Sequence, residues 1–146
     1  MSRQKPVQCR ILAVCLGNIC RSPLAAAVLA DRAPAGTLVR SAGLRDRWRG
    51  RPAHPPMVST AAALGYDLAR HRARQVTAAL VAQADLVLAM DYAVRDELAA
   101  RYPAALPRLR LYLPDREVPD PYGGDARSFA QCAALIADGA AHWMNA

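Results

Sequence analysis

The segment Val14–Pro23 holds a thiol and a guanidinium in one short stretch of chain. Five residues separate Cys15 from Arg21, so a curled loop between them can bring both side chains against one tetrahedral oxyanion. A cysteine thiolate is a strong nucleophile, and the planar fork of arginine matches two phosphate oxygens. The spacing therefore predicts nucleophilic chemistry on a phosphoryl group.

The residues around this pair are expected to form a phosphate-binding loop. We expect Gly17 to adopt a positive φ, Asn18 to tolerate the left-handed region, and Ser22 to hydrogen-bond the sulfur of Cys15. The loop follows an apolar run and precedes a helical pattern, so free N–H groups at the helix start would bind phosphate or another oxyanion. The predicted phosphate-binding residues are Leu16, Gly17, Asn18, Ile19, Cys20 and Ser22.

The leaving oxygen of a phosphate ester needs a proton, which a carboxylic acid on a turn can supply. Asp120 lies between Pro119 and Pro121, and two glycines follow Tyr122, a pattern typical of a turn. An aspartate in a turn is by itself more often structural than catalytic. Together with the thiol loop, however, Asp120 becomes the candidate general acid.

Short apolar runs alternate with helical patterns, which is typical of a parallel sheet covered by helices. We predict an α/β fold of three layers, a four-stranded parallel sheet with helices on both faces and the phosphate loop after the first strand. The predicted strands are Arg10–Val14, Thr37–Ala42, Leu86–Met90 and Arg108–Leu113. The predicted helices are Pro23–Arg32, Pro56–Leu64, Thr77–Ala82, Ala93–Tyr102 and Ala126–Met144. The loop and Asp120 would then meet at the carboxyl end of the sheet, where ligands bind.

Length and composition favour one domain over residues 1–146, because 146 residues with 53% hydrophobic content can bury one core. We expect no membrane span, and the start of the chain lacks the apolar core of a signal peptide, which predicts a cytoplasmic location.

The net charge of +7 suits acidic partners. We expect no nucleic-acid partner, because no recognition motif accompanies the charge and aromatic residues make up only 5%.

The four cysteines are irregularly spaced and fit neither a disulfide framework nor a zinc site. We therefore expect no metal and no cofactor. The closeness of Cys20 to Cys15 suggests a reversible disulfide after oxidation of the nucleophile, with a simply packed Cys20 as the alternative.

Several short motifs follow one another in a recognisable order. Val14–Pro23 reads V-C-x-G-N-x-C-R-S-P and Asp120-Pro121-Tyr122 reads D-P-Y, with Ser41-Ala42-Gly43, Ala73-Arg74-Gln75 and Met90-Asp91 between them. In this combination the chain resembles the low-molecular-weight protein tyrosine phosphatases from position 7 to about position 143. The resemblance implies a cytoplasmic hydrolase, a protein phosphatase acting on phosphotyrosine, as a monomer or weak dimer.

The roles implied are those of a two-step reaction. Cys15 attacks phosphorus while Asp120 protonates the leaving phenolate, and Arg21 binds the phosphoryl oxygens. Water then hydrolyses the phosphocysteine intermediate, with Asp120 accepting the proton. A cysteine at the floor of a narrow slot would accept the long phosphotyrosine and hardly a phosphoserine.

Side chains around the reacting groups are expected to shape the cleft. Tyr122 and Trp48 would form walls against the phenyl ring, with an ordinary loop tryptophan as the alternative for Trp48. The resemblance also places His71 in a hydrogen-bond network with Asn18 and Ser22, against the alternative of a surface histidine.

Particular residues bear on the alternative functions. An arsenate reductase is disfavoured, because no cysteine lies between Arg21 and Gln131. A phosphatase for phosphoarginine or small aryl phosphates remains the alternative, although Ile19 would crowd a guanidinium substrate. The four arginines of the segment Arg45–Arg51 are interpreted either as solvated surface or as a border that recruits acidic sequence near a phosphotyrosine.

Overall fold

A four-stranded parallel sheet forms the centre of the protein in a computed structural model, which describes residues 6–144. Residues 1–5 and 145–146 lie outside this described part. They are the two ends of the predicted domain, and residues 1–5 also begin the segment in which a signal peptide would lie. The sheet order is β2-β1-β3-β4. The strands are β1 (Cys9–Cys15), β2 (Thr37–Gly43), β3 (Leu86–Ala89) and β4 (Leu109–Leu111).

Helices connect the strands, as parallel pairing requires. They are α1 (Arg21–Arg32), α2 (Pro55–Ala63), α3 (Ala78–Gln83), α4 (Tyr92–Arg101) and α5 (Ala126–Trp143), with a 3₁₀ helix at Pro103–Arg108. Over residues 6–144, no helix combines the length and the apolar character that crossing a membrane demands.

The alternation of side chains along β1 creates two separate cores. Ile11 and Ala13 pack in a cluster with residues of α1, α2 and α5 on one face of the sheet. Leu12 and Val14 pack on the other face with residues of α3 and α4. Each buried aliphatic side chain of this kind contributes about 1.5–3 kcal/mol. The predicted three-layer α/β fold is therefore confirmed, because β1 is buried from both sides.

The last strand is shorter than the sequence pattern predicted. Arg108 ends the 3₁₀ helix instead of starting β4, and the two prolines of that helix explain why the segment does not continue α4. After β4 the chain leaves the ladder, and Leu113 forms an isolated antiparallel bridge with Arg116. Helix α1 begins at Arg21, two residues before the predicted start at Pro23.

The parallel arrangement brings three strand ends to one edge of the sheet. Cys15 is paired with Gly43 at the ends of β1 and β2, and Val14 is paired with Ala89 at the end of β3. Asp91 follows two residues after Ala89. Cys15, Gly43 and Asp91 therefore converge, although they are distant in sequence.

Candidate active site

The loop between β1 and α1 turns sharply at Asn18. Asn18 has φ of 59°, the left-handed region, which asparagine tolerates better than most residues. Gly17 is not among the residues with positive φ, so the expectation for Gly17 was wrong. A Cβ at Gly17 would overlap Cε3 and Cζ3 of the Trp48 ring. Glycine is needed there because the Trp48 ring packs against the loop backbone.

The end of β2 supports the same loop from the side. A Cβ at Gly43 would lie 2.8 Å from the carbonyl carbon of Gly17 and 2.9 Å from the amide nitrogen of Asn18. Directly after Gly43, the Leu44 N–H donates to the Cys15 carbonyl at 3.0 Å. Such a close approach of two backbones excludes any side chain at position 43.

A buried hydrogen-bond network centred on Asn18 holds the loop in this strained conformation. The side-chain nitrogen Nδ2 of Asn18 donates to Ser22 Oγ at 2.8 Å and to Ser41 Oγ at 2.9 Å. Its Oδ1 accepts from the Arg74 backbone N–H at 2.9 Å. His71 Nε2 lies 2.6 Å from the Asn18 carbonyl, so this nitrogen carries a proton. His71 thus reaches Ser22 through Asn18, while Ser41 and Arg74 are members that the sequence did not reveal.

The ionisation of His71 is set by its surroundings. Burial lowers the pKa of His71, and the nearby Arg74 and Arg72 lower it further, while the hydrogen bond to Asn18 acts in the opposite direction. The neutral imidazole that results donates through Nε2 and adds no positive charge beneath the phosphate loop.

The Cys15 sulfur has two polar contacts with residues at the loop and the start of α1. The Asn18 N–H donates to Sγ at 3.2 Å, and Ser22 Oγ lies 3.0 Å from it. Helix α1 starts beside this sulfur, and its N-cap residue Cys20 forms no side-chain capping bond within the described chain. By contrast, aspartates cap α4 and α5. The first amides of α1 are therefore suited to an anion.

Arg21 is held in place although it is almost fully buried, with 2% of its surface exposed. Its Nη1 donates to Asp91 Oδ2 at 2.8 Å and to the Val118 carbonyl at 2.9 Å. Its Nη2 lies 3.8 Å from Asp120 Oδ2. Burial acts against the charge, but Cys15, Asp91 and Asp120 outweigh it and raise the pKa of Arg21 above its ordinary value. The guanidinium stays charged and oriented.

Asp91 is a further residue of the site for which the sequence predicted no role. Its Oδ2 accepts from Arg21, while its Oδ1 accepts from the Val94 N–H and caps α4. One signal was available, since Asp91 follows β3 at the edge of the sheet where β1 ends in Cys15. The Asp91 carboxylate therefore caps α4 and also orients the Arg21 guanidinium.

Asp91→Asn tests this positioning role, because it keeps an oxygen for the α4 cap and removes the charge facing Arg21. We expect kcat/KM for phenyl phosphate to fall about tenfold or more, since a hydrogen bond to a charged group contributes about 1.5–3 kcal/mol. The inhibition constant of inorganic phosphate is expected to rise with it. Asp85→Asn is the matched control at the other end of β3, and an equal loss in both variants would refute the role.

The cleft above the loop brings together the predicted reacting groups and both predicted walls. Asp120 is at its rim, with 43% of its side chain exposed, and its Oδ1 accepts from the Tyr122 N–H at 3.1 Å. The Trp48 and Tyr122 rings form an edge-to-face pair with centroids 5.9 Å apart. The cavity of about 150 Å³ is lined by Cys15, Leu16, Gly17, Ile19, Cys20, Arg21, Arg47, Trp48, Asp120 and Tyr122.

His54, for which the sequence predicted no role, supports the Tyr122 wall. The His54 ring lies 4.8 Å from the Tyr122 ring and 5.8 Å from the Phe129 ring. Its backbone N–H donates to the Ile19 carbonyl at 2.9 Å. No local sequence pattern predicts this contact, because it depends on how α2 and α5 pack against the turn that contains Asp120 and Tyr122.

Cys20 is buried and lines the same cleft as Cys15, and a disulfide between the two stays a prediction. Burial raises the pKa of Cys20, and the neighbouring Cys15, Asp120 and Cys132 raise it further, against the lowering effect of Arg21. Cys20 is therefore a protonated thiol, and all four cysteines are free in the structure. In residues 6–144 no cluster of three or more His, Cys, Asp or Glu side chains could hold a metal ion.

Comparison with known proteins gives one consistent family. The family model described as low molecular weight phosphotyrosine protein phosphatase matches residues 10–146. A probable low molecular weight protein-tyrosine-phosphatase, EpsP of Ralstonia nicotianae, is 40% identical over 136 residues, covering 92% of both chains. Etp of Escherichia coli K12, a low molecular weight protein-tyrosine-phosphatase, is 33% identical over 142 residues and again covers 92% of both.

Solved structures agree with the sequence matches. Wzb of Vibrio vulnificus in complex with benzylphosphonate superposes with a TM-score of 0.88 at 32% identity, covering 93% of this chain and 97% of that one. The YwlE arginine phosphatase from Geobacillus stearothermophilus superposes with a TM-score of 0.86 at 29% identity, covering 92% and 90%. One scaffold thus carries enzymes named for two phosphoryl substrates.

Proposed function

Because the chain belongs to the low molecular weight phosphotyrosine protein phosphatase family, we propose that it hydrolyses phosphotyrosine on proteins through a phosphocysteine intermediate. The observation that carries this proposal is the meeting of the Cys15 sulfur, the Arg21 guanidinium and the Asp120 carboxyl group in one cavity. These groups are the nucleophile, the phosphate binder and the proton donor that ester hydrolysis needs. The enzyme is a protein tyrosine phosphatase, and the roles below are proposed for its residues.

In the first step the Cys15 thiolate attacks phosphorus, and the bond to the phenolic oxygen breaks. The equatorial oxygens take up negative charge, which Arg21 and the first amides of α1 bind without rearrangement. Ser22 and the Asn18 N–H, which contact the sulfur, stabilise the thiolate before attack and again when it departs.

Asp120 handles the proton in both steps. Its carboxyl group gives a proton to the phenolate as that oxygen leaves, and the resulting carboxylate then takes a proton from the attacking water. The second step releases inorganic phosphate and restores the Cys15 thiolate. The position of Asp120 at the exposed rim, 3.8 Å from Arg21, lets it reach the leaving oxygen above the bound phosphoryl group.

The cleft supports an aromatic phosphoester as substrate. Cys15 is buried at the floor with 3% of its surface exposed, so the phosphoryl group must extend well beyond the peptide backbone. The Trp48 and Tyr122 rings can form aromatic contacts with the phenyl ring of a substrate, by stacking or edge to face. The likeness to an arginine phosphatase keeps phosphoarginine as the second candidate, but Ile19 presents an apolar side chain to the cleft, where a guanidinium gains no hydrogen bond.

We further propose a cytoplasmic enzyme of one domain, residues 1–146, acting as a monomer or weak dimer. Supporting this, the nucleophilic thiol needs a reducing compartment, and the four cysteines are free. The partners proposed are phosphotyrosine proteins as substrates and phosphate or another oxyanion in the loop, without cofactor, metal or nucleic acid.

A substrate panel tests the proposal. Phosphotyrosine, phosphoserine and phosphoarginine are placed in one peptide sequence, and phosphate release is measured together with the release from phenyl phosphate. We expect kcat/KM for phosphotyrosine to exceed the other two by roughly 100-fold or more, because shorter or guanidinium-linked groups misplace phosphorus relative to Cys15. Faster release from phosphoarginine would establish the second candidate instead.

A further inference from the structure

A second groove adjoins the catalytic cleft. It shares Ile19, Trp48 and Tyr122 with the cleft and is completed by the segment Arg51–Pro55. Its volume is about 270 Å³, enough for one amino-acid side chain. Trp48 and Tyr122 therefore border both spaces. A peptide whose phosphotyrosine enters the cleft can place a neighbouring residue in the adjoining groove.

The groove is rigidly connected to the phosphate loop. The His54 N–H donates to the Ile19 carbonyl at 2.9 Å, which ties the groove floor to the loop itself. The Arg51 N–H donates to the Trp48 carbonyl at 2.8 Å, and the Arg51 carbonyl accepts from the Ala73 N–H at 2.8 Å. These two bonds fix the backbone of Arg51, from which its exposed side chain lines the groove.

The arginines of segment Arg45–Arg51 are not equivalent. Arg45 forms a two-pronged ion pair with Glu97 at 2.6 and 2.9 Å, and it lines neither the cleft nor the second groove. Arg47 lies over the Trp48 ring at 5.1 Å and lines the catalytic cleft. Arg51 lines the second groove, whereas Arg49 lines neither space. Of the arginines in segment Arg45–Arg51, only Arg47 and Arg51 therefore line a space where acidic sequence could bind.

The electrostatic character of the groove indicates what it accepts. Within the described chain its lining contains one arginine, one histidine and no carboxylate. The remaining surface comes from aromatic rings, proline rings and short apolar side chains. A side chain that is short, can contact apolar walls and ends in a carboxylate complements this lining.

We propose that this groove binds the residue next to the phosphotyrosine and that Arg51 selects an acidic side chain there. The inference rests on the proposed phosphotyrosine activity and adds a substrate class to it, acidic phosphotyrosine peptides. Arg51 acts on the neighbouring residue and has no part in the chemical step. Selectivity therefore appears in kcat/KM for peptides, while small aryl phosphates do not reach the groove.

The experiment compares peptides that differ by one isosteric change. Aspartate or asparagine is placed directly before or directly after the phosphotyrosine, and kcat/KM is measured at low salt and at 1 M salt. We expect wild type to prefer aspartate by about fivefold at one of the two positions, as an exposed ion pair allows. The preference is expected to vanish at 1 M salt, where the Debye length is about 3 Å.

Two variants with the same change in net charge localise the effect. Arg51→Gln is expected to bring the aspartate-to-asparagine ratio close to one, whereas Arg49→Gln is expected to keep the wild-type ratio. Arg51→Glu is expected to reverse the preference, so that a lysine beside the phosphotyrosine becomes favoured. This gain of a new preference cannot arise from misfolding.

Two results would overturn the inference. One is equal kcat/KM for aspartate and asparagine peptides in wild type at low salt. The other is an equal fall in the ratio for Arg49→Gln and Arg51→Gln, which would indicate diffuse charge and no defined groove. Phenyl phosphate separates this failure from failure of the proposed function, since an enzyme without turnover on phenyl phosphate would contradict the phosphatase activity itself.

Discussion

Cys15→Ser is expected to abolish turnover of every phosphate ester, with kcat reduced by about 10⁴-fold or more. A serine hydroxyl keeps its proton at neutral pH, and an alkoxide is a much poorer leaving group than a thiolate in the second step. The surrounding site is expected to survive, because an oxygen at this position can keep the contacts with the Asn18 N–H and with Ser22 Oγ. The measurement is steady-state phosphate release from a phosphotyrosine peptide and from phenyl phosphate.

Cys9→Ser is the matched control for this change. Cys9 is a half-buried cysteine at the opposite end of β1, away from the lining of the cleft. It is expected to keep near wild-type turnover. Inorganic phosphate is expected to protect the Cys15→Ser protein against thermal unfolding, which separates loss of chemistry from loss of the site. Appreciable turnover by Cys15→Ser would contradict the covalent step.

Asp120→Ala is expected to slow hydrolysis according to the leaving group. For a phosphotyrosine peptide, kcat should fall by about 10²–10⁴-fold, the usual contribution of a positioned general acid. For an aryl phosphate with a strongly acidic phenol the fall should be far smaller, because that phenolate departs without a proton. The comparison is made by measuring kcat over a series of aryl phosphates of increasing phenol acidity.

Asp115→Ala provides the control, because Asp115 is an exposed aspartate that lies outside the cleft lining in the same connection between β4 and α5. It should leave the dependence on phenol acidity unchanged. If Asp120→Ala slowed all aryl phosphates by the same factor, Asp120 would bind or position the substrate and would not be the acid.

Much of the fold could be predicted from the sequence because its signals are local. Apolar runs of strand length and helical spacing decided the alternation of elements, and β1 is buried on both faces as a continuous apolar run requires. The motif Val14–Pro23 likewise places thiol, amides and guanidinium within one turn of chain. Boundaries were less accurate at β4, where a proline-containing 3₁₀ helix shortened the strand.

The detailed site could not be predicted from local pattern. Within the phosphate loop the positive φ lies at Asn18 and not at Gly17. Gly17 is required for a different reason, the close approach of the Trp48 ring from another loop. Asp91 contacts Arg21, and His54 contacts Tyr122. The residues next to them in sequence do not predict either contact.

The sequence by itself determined the chemistry, since a cysteine, an arginine and a helix start within one short segment have few ways to fold. Only the tertiary structure decided which groups orient that chemistry and which arginines stay available. Asp91 forms an ion pair with Arg21 in the cleft, and Glu97 forms an ion pair with Arg45. Hydrogen bonds and ion pairs between distant segments depend on distances of a few ångströms, and those distances exist only once both cores have packed the sheet between its helices.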